Sequence, residues 1–336
     1  MGSEITVVNY ETSYREVWQK FISASDNGTL FHDLDFLDYH PEDRFEFHHL
    51  LFYRKNKLVA LLPGAIRLDH AGRTLVSTSG ASIGGFILPE RVSIKETCQI
   101  VEVFNEYLTR EGFSAAELRL GPLVYGKTLK QHQEYALMAS GYSLVNRYLC
   151  HFIHLDGIRG EPMQSLFNRR RRSYVRASQR KGVTVQEVGK DSIDEVYFLV
   201  EKTHCERHNT SATHSKNELL DLKQRFPTGI RFFLAEYECK PIGTVVLFQL
   251  SEHVANAFYI CEDYDFVDLG APGAIFDHII NRLEEEGVSW LELGPSTFDD
   301  MSINEGVAFF KESIGGQGLC RDVWKHEPAR LSPSRM

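Results

Sequence analysis

Residues 267–316 read VDLGAPGAIFDHIINRLEEEGVSWLELGPSTFDDMSINEGVAFFKESIGG, and the element order they encode organises the whole chain. Ile275, Phe276, Ile279, Ile280 and Leu283 recur at helical spacing, which predicts an amphipathic helix packed on a sheet. Gly287 stops that helix, residues 288–293 follow as a short buried strand, and a polar loop leads to a second helix. Ahead of the first helix, Gly270, Ala271, Gly273 and Ala274 form a small-residue loop. Such a loop leaves backbone N–H groups and the positive end of the helix dipole facing outward, which suits a phosphate. A tight loop that needs small side chains explains the same letters.

Outward from that stretch, residues 231–237, 242–250 and 254–260 alternate as three antiparallel strands. Helices over 193–207 and 217–226 precede them, and a basic helix over 164–181 with a strand at 183–188 opens the half. The first half has the same order. A strand at 5–8 and a helical stripe through Tyr14, Val17, Trp18, Phe21 and Ile22 lead to a short helix at 36–39. A hairpin of 47–54 and 58–68, a strand at 73–77, a long helix at 93–110, a strand at 115–120, a helix at 129–140 and a strand at 148–154 complete it. The letters echo as well: Leu118-Arg119-Leu120-Gly121-Pro122 matches Leu291-Glu292-Leu293-Gly294-Pro295, each at the exit of a long helix. An internal duplication accounts for both parallels, giving domains at 1–156 and 163–326 separated by a linker with Gly160 and Pro162.

The 336 residues are 43% hydrophobic and 25% charged, ordinary for a globular protein, and the net charge is −9. An acidic chain is not a nucleic-acid footprint over its whole surface. Six dispersed cysteines without a C-x-x-C pair fit free thiols in a reducing compartment. No run is long and apolar enough to span a bilayer, so a cytoplasmic location without a membrane span is expected.

The element order, together with Arg169-Arg170-Arg171-Arg172, Lys181-Gly182-Val183, Gly270-Ala271-Pro272-Gly273-Ala274 and Phe310-Lys311-Glu312-Ser313-Ile314-Gly315, resembles the Fem family of peptidoglycan interpeptide-bridge ligases and related tandem GNAT-fold acyltransferases. The last of these is close to that family's F-K-x-x-F-G ending. The resemblance implies an α/β (α+β) fold of tandem GNAT-like domains, each a mixed, mostly antiparallel sheet flanked by helices. It also implies transfer of an acyl or aminoacyl group from acyl-CoA or aminoacyl-tRNA to an amine of a cell-wall precursor or similar small molecule, with tRNA as a partner in the second case and no metal. A GNAT site lies between splayed strands, here 254–260 and 288–293, where an amine needs a proton acceptor and the oxyanion a donor. The loop departs from the usual pyrophosphate pattern, since Val267 and Pro272 stand at its first and last positions.

Lys311 enters as the family motif's cation. Glu292, between two leucines, points to the opposite face, as either the proton acceptor or a surface carboxylate. Ser296 and Asn304 lie in the polar loop, as cap or substrate contact. His204 and Arg207 border the acceptor site a GNAT domain would have, and Tyr259 on the first splayed strand joins the substrate contacts. Arg169, Arg172, Arg176 and Arg180 share one helical face, so Arg172 and Arg176 are candidates for a diphosphate or RNA backbone or belong to a solvated surface. His204 and His208 stand four apart without a third metal ligand at matching spacing.

A rival pattern runs from Gly121 to Thr128, GPLVYGKT, which matches a P-loop between a strand and a helix. The hairpins before it speak for a GNAT-like half instead. A P-loop nucleotide-binding protein and a non-catalytic GNAT-fold binding module are the alternatives to an enzyme.

Overall fold

Hydrophobic stripes become helices and alternating runs become strands throughout the computed structural model, which describes residues 4–70, 72–158, 166–208 and 211–328. The side chains of residues 158, 207 and 208 lie outside the description. The chain divides into two compact units, one up to Tyr148 together with the segment from Cys320 onward, the other Leu149–Leu319.

In chain order come β1 (Ile5–Asn9), α1 (Arg15–Ala24), α2 (Leu34–Leu37), β2 (Glu46–Phe47), β3 (Leu50–Arg54), β4 (Lys57–Leu62), β5 (Ala65–Asp69), β6 (Gly72–Ser77), α3 (Ile94–Arg110), β7 (Ala115–Arg119), α4 (His132–Ala139) and β8 (Ser143–His154). Then follow α5 (Arg169–Lys181), β9 (Thr184–Val188), α6 (Ile193–Thr203), α7 (Lys216–Arg225), β10 (Ile230–Tyr237), β11 (Lys240–Gln249), β12 (Val254–Glu262), α8 (Ala271–Glu285), β13 (Trp290–Pro295), α9 (Glu305–Ser313) and β14 (Gln317–His326).

In the first unit β1, β3 and β4 form an antiparallel sheet, and β2, β5, β6, β7 and β14 follow one another in a second ladder. The strand expected over 58–68 is therefore cut in two. Pro63 has no N–H to give, and Gly64 turns its own N–H to His49 Nδ1 at 3.1 Å. A Cβ on Gly64 would sit 2.6 Å from the His48 carbonyl oxygen, so only glycine fits this close approach. α3 starts where Ser93 accepts the Glu96 N–H, and it buries Ile100, Val101, Phe104 and Leu108 against β-strand residues such as Phe52 and Leu118.

The second unit has one unbroken order, β8-β13-β12-β11-β10-β9, antiparallel except for β12 with β13. The apolar stripe predicted for α8 is its buried face, since Ile275, Phe276, Ile279, Ile280 and Leu283 join a core with Val245, Leu247 and Leu291. α6 packs on β11 and β12. α5 begins only at Arg169, where Asn168 caps it by accepting the Arg171 N–H at 2.8 Å.

The closing strands differ from the reading of the sequence. Residues 148–154 end the first half of the chain, yet His154, Ile153 and Phe152 pair with Trp290, Leu291 and Glu292 in the second unit. The last strand of the chain instead pairs Val323 and Trp324 with Arg119 and Leu118 of β7. Burial drives the exchange, because Ile153 belongs to the second unit's core and Trp324 to the first unit's.

Candidate active site

The second unit opens a fork between β12 and β13. Val254, Ala255 and Asn256 pair in parallel with Trp290, Leu291 and Glu292, and the ladder ends there among the described residues. A register shift against β11 leaves Phe258 as the extra residue of β12, since Tyr259 pairs with Val246 and Ala257 with Leu247. The bulge bends β12 away, and the Phe258 ring stacks on Phe248 at 4.6 Å between centroids.

Glu292 sits at the crotch of the fork. Leu291 and Leu293 face the core beneath α8, so Glu292 points to the other face, as its place between leucines predicts. It is only 1% exposed and accepts a hydrogen bond from Asn256 Nδ2 at 2.8 Å. The carboxylate is therefore a buried, hydrogen-bonded group and not a solvated surface one.

Lys311 is buried too, at 4% exposure. Its ammonium donates to the Gly294 and Pro295 carbonyls at 2.9 and 2.7 Å, which ties α9 to the end of β13. Ser296 follows and faces His151 on β8, with Oγ 2.8 Å from Nδ1. His151 Nε2 lies 3.7 Å from the exposed Glu312 carboxylate. Burial, and then the nearby Lys311 charge, hold the His151 pKa below its usual value, with Glu312 pulling the other way. In the neutral ring Nδ1 then accepts a hydrogen bond donated by the Ser296 hydroxyl, and Nε2–H turns toward Glu312, an assignment that follows from the network. Asn304 caps α9 by accepting the Val307 N–H, and its own N–H donates to the Ser296 carbonyl at 2.8 Å. Lys311, Ser296 and Asn304 thus gather at the end of the strand that carries Glu292.

Tyr259 lies past the bulge, and His214 N and Nδ1 meet its hydroxyl at 3.0 and 2.8 Å. Burial pushes the Tyr259 pKa up to about 12. The His204 ring stands edge-on to Tyr259 at 5.6 Å, so these two are also brought together. His204 belongs to a π-turn, His204–His208, at the end of α6. The Arg207 side chain lies outside the described residues, as does that of His208. Among the described residues no group of three or more His, Cys, Asp or Glu side chains is placed to hold a metal ion.

The cofactor-loop residues begin α8. Gly270 caps it with φ +66° and no side-chain cap bond, and the space beside its missing Cβ is open. Gly273 is packed: a Cβ there would lie 3.2 Å from Val175 Cγ2 and 3.3 Å from Arg171 Cδ, both on α5. Close helix contact alone therefore accounts for glycine at 273. On α5 the inward arginine is Arg171, whose Nε donates to Ser313 Oγ at 3.0 Å and whose guanidinium lies 4.8 Å over the Phe310 ring. Arg172 is half-buried and Arg176 exposed, on the outer side of the same helix.

The P-loop reading is corrected by the geometry. Thr128 N–H and Oγ1 both donate to Asp26 Oδ1, at 3.0 and 2.8 Å, and Lys127 N–H donates to the Asp26 carbonyl. A carboxylate takes the place a phosphate would need, and α4 opens only at His132.

Sequence reasoning missed His151, Asn256 and Glu312. A lone polar letter in each buried strand, CHF and ANA, was the available signal, but the partners come from 145 and 36 positions away.

Residues 168–309 match the family described as acetyltransferase (GNAT) domain. Among solved structures, FemX superposes with a TM-score of 0.71 at 11% identity, covering 96% of this chain and 97% of FemX. L-PGS from Bacillus licheniformis gives 0.59 at 11% identity, with 96% and 92% covered. A tandem GNAT protein from the clavulanic acid biosynthesis pathway gives 0.56 at 12%, with 98% and 100% covered. No curated protein sequence matches this chain. The chain has a tandem GNAT fold like that of FemX, and the match to the acetyltransferase (GNAT) domain lies within its second unit.

Proposed function

We propose that the chain is an N-acyltransferase of the Fem/GNAT type, acting at the fork of the second unit on an amine of a cell-wall precursor or a similar glycan or peptide, in the cytoplasm. The observation that carries this is the open β12–β13 fork with the buried Glu292–Asn256 pair at its base. A donor carbonyl lying in the fork can be reached by an amine from the Glu292 face. Glu292 then takes the ammonium proton as the C–N bond forms, and the carrier leaves with the electron pair of the broken acyl bond. Lys311 acts at the end of β13. Its fixed charge favours negative charge developing nearby, although it also anchors two carbonyls. Arg172, Arg176, Ser296, Asn304, Tyr259, His204 and Arg207 remain the proposed substrate contacts, and Gly270, Ala271, Gly273 and Ala274 the proposed contact for the donor.

Acyl-CoA and aminoacyl-tRNA are the two donor classes. The acetyltransferase family match and a fold shared with a tandem GNAT protein known in a form without AcCoA favour the first. The packed Gly273 leaves Gly270 as the open approach for a pyrophosphate. Mass spectrometry of the wild-type chain incubated with acetyl-CoA or with charged tRNA, and with amine-bearing muropeptides, tests the proposal. Acylated product from one donor is expected. Transfer from neither donor, with the donors intact, would leave a non-catalytic binding module.

A further inference from the structure

The reaction just described gives no part to Phe258, the extra residue of the β12 bulge. Ala255, Ala257, Val245 and Leu247 belong to the core under α8, so Asn256, Glu292 and Phe248 stand on the other face of the sheet. The Phe258 ring joins them there, since it stacks on Phe248 with the two planes only 16° apart. Tyr259 and His214 stand edge-on around it, at 4.9 and 5.1 Å between centroids, so the ring is held in place.

One side of that ring is covered and the other is not. Phe248 belongs to β11, which lies on the far side of β12 from β13, so it covers the face turned away from the fork. The opposite face looks toward β13, where the ladder has already ended. Phe258 is accordingly half-buried, whereas Phe248 is fully buried. At the same level on the other strand, two residues past Glu292, β13 has Gly294 and hence no side chain. Among the described residues the chain's own cations lie over other rings, such as Arg171 over Phe310 and Arg231 over Phe233.

The face of an aromatic ring carries the negative part of its quadrupole and attracts a cation within about 6 Å of its centre. The buried Glu292 carboxylate lies at the base of the same gap, on the same side of the sheet. Ring face and carboxylate together favour a positive group. Lys311 does not supply it. It reaches β13 from α9, whose Phe310 packs into the core on the opposite side, and its ammonium is held by the Gly294 and Pro295 carbonyls.

From this we infer that Phe258 selects the acceptor in its protonated form, as an ammonium ion held between the open ring face and the Glu292 carboxylate. The inference rests on the acyltransferase reading and narrows its substrate to a primary amine that is cationic at neutral pH. The bound ammonium gives one proton to bulk water before it attacks, so Phe258 acts on binding and not on the chemical step. Such a group has two sources, an amine on an aliphatic chain and the amine of an amino sugar.

The test is a calorimetric titration of the full chain, without donor, at neutral pH. The n-butylammonium ion and D-glucosamine are the probes, with n-butanol and D-glucose as their uncharged controls. One of the amines should bind saturably while its control does not, and which amine does so names the source. Phenylalanine carrying one, two or three ring fluorines in place of Phe258 should weaken binding stepwise. Fluorine draws charge from the ring face while leaving the side chain as apolar and nearly the same shape, so a packing role would not follow that series. Phe258→Leu, which removes the ring, should weaken binding about tenfold. In a transfer assay the same changes should raise KM and leave kcat nearly as it was. No binding of either amine, equal binding of amines and controls, or equal affinity across the fluorinated chains overturns the site. If Phe258→Leu does not fold, the fluorinated chains still decide. Amine binding that follows the fluorine series without any acyl transfer would sink the proposed reaction alone, whereas acyl transfer by chains whose amine affinity ignores fluorine would sink this site alone.

Discussion

The two units treat the same feature in opposite ways. Each has a parallel strand pair followed by Gly-Pro, β6 with β7 and β12 with β13. In the second unit the pairing ends at Asn256 and Glu292, and no strand occupies the gap among the described residues. In the first unit pairing runs to Ser77 and Leu118, and the chain then returns to fill the gap, with Gly84 bridging Leu120. Gly84 N–H donates to the Arg119 carbonyl at 2.7 Å, and Gly85 N–H to Ser77 Oγ at 2.8 Å. One fork is open with a carboxylate at its base, and the other is plugged by a glycine segment. A repeated architecture thus separates a unit whose parallel strands part from one whose strands are sealed.

The comparison can be broken most sharply at Glu292. Glu292→Gln keeps the Asn256 contact but not the base, so kcat should fall by about 10²–10⁴ and the acidic limb of the pH–rate profile should flatten. Unchanged turnover in a folded variant would remove the fork's claim to the chemistry. Lys311→Met should cost about 10²–10³ in rate, with kcat falling more than KM rises. A raised KM at unaltered kcat would assign the lysine to ground-state binding.

Acid should separate the units next. Burial lowers His32 to about 4 and His49 to about 3, both in the first unit. A histidine whose folded pKa is depressed binds its proton more readily when unfolded, so stability is full above pH ~6.5 and is lost as pH falls toward the folded pKa. For His32 alone the difference is about 3 kcal/mol. Unfolding followed by amide-resolved NMR between neutral pH and about pH 4 should show the first unit weakening ahead of the second, and coincident loss would contradict it. The smallest effect expected is at the plug. A Cβ on Gly84 would lie 2.4 Å from the Ser77 carbonyl carbon, so Gly84→Ala should cost about 1–3 kcal/mol by denaturant titration while leaving the second unit's amide exchange as it was.

Much of this was legible in letters. The periodicity of Ile275, Phe276, Ile279, Ile280 and Leu283 names the buried face of α8, and Glu292's place between leucines gives its direction, because both follow from local geometry. The strand exchange was not legible. A strand at 148–154 looks the same whichever sheet receives it, and the choice depends on partners more than a hundred positions away. The GPLVYGKT match misled for a related reason. The residue that cancels it, Asp26, lies 102 positions before Thr128. His151 stayed hidden because strand alternation reports a face and not what waits there.

The exchange of closing strands also bears on how the protein is made. β7 meets β14 only after the ribosome has passed Val323 and Trp324, although the rest of the first unit emerged before Leu149. That unit waits on the exit of the second, with Leu118 and Phe104 lacking the cover of Trp324 in the meantime. A chain truncated just after α9 would therefore damage its N-terminal half, while the fork near the cut retained the strands that form it. Damage at one end of the message is felt at the other end of the fold.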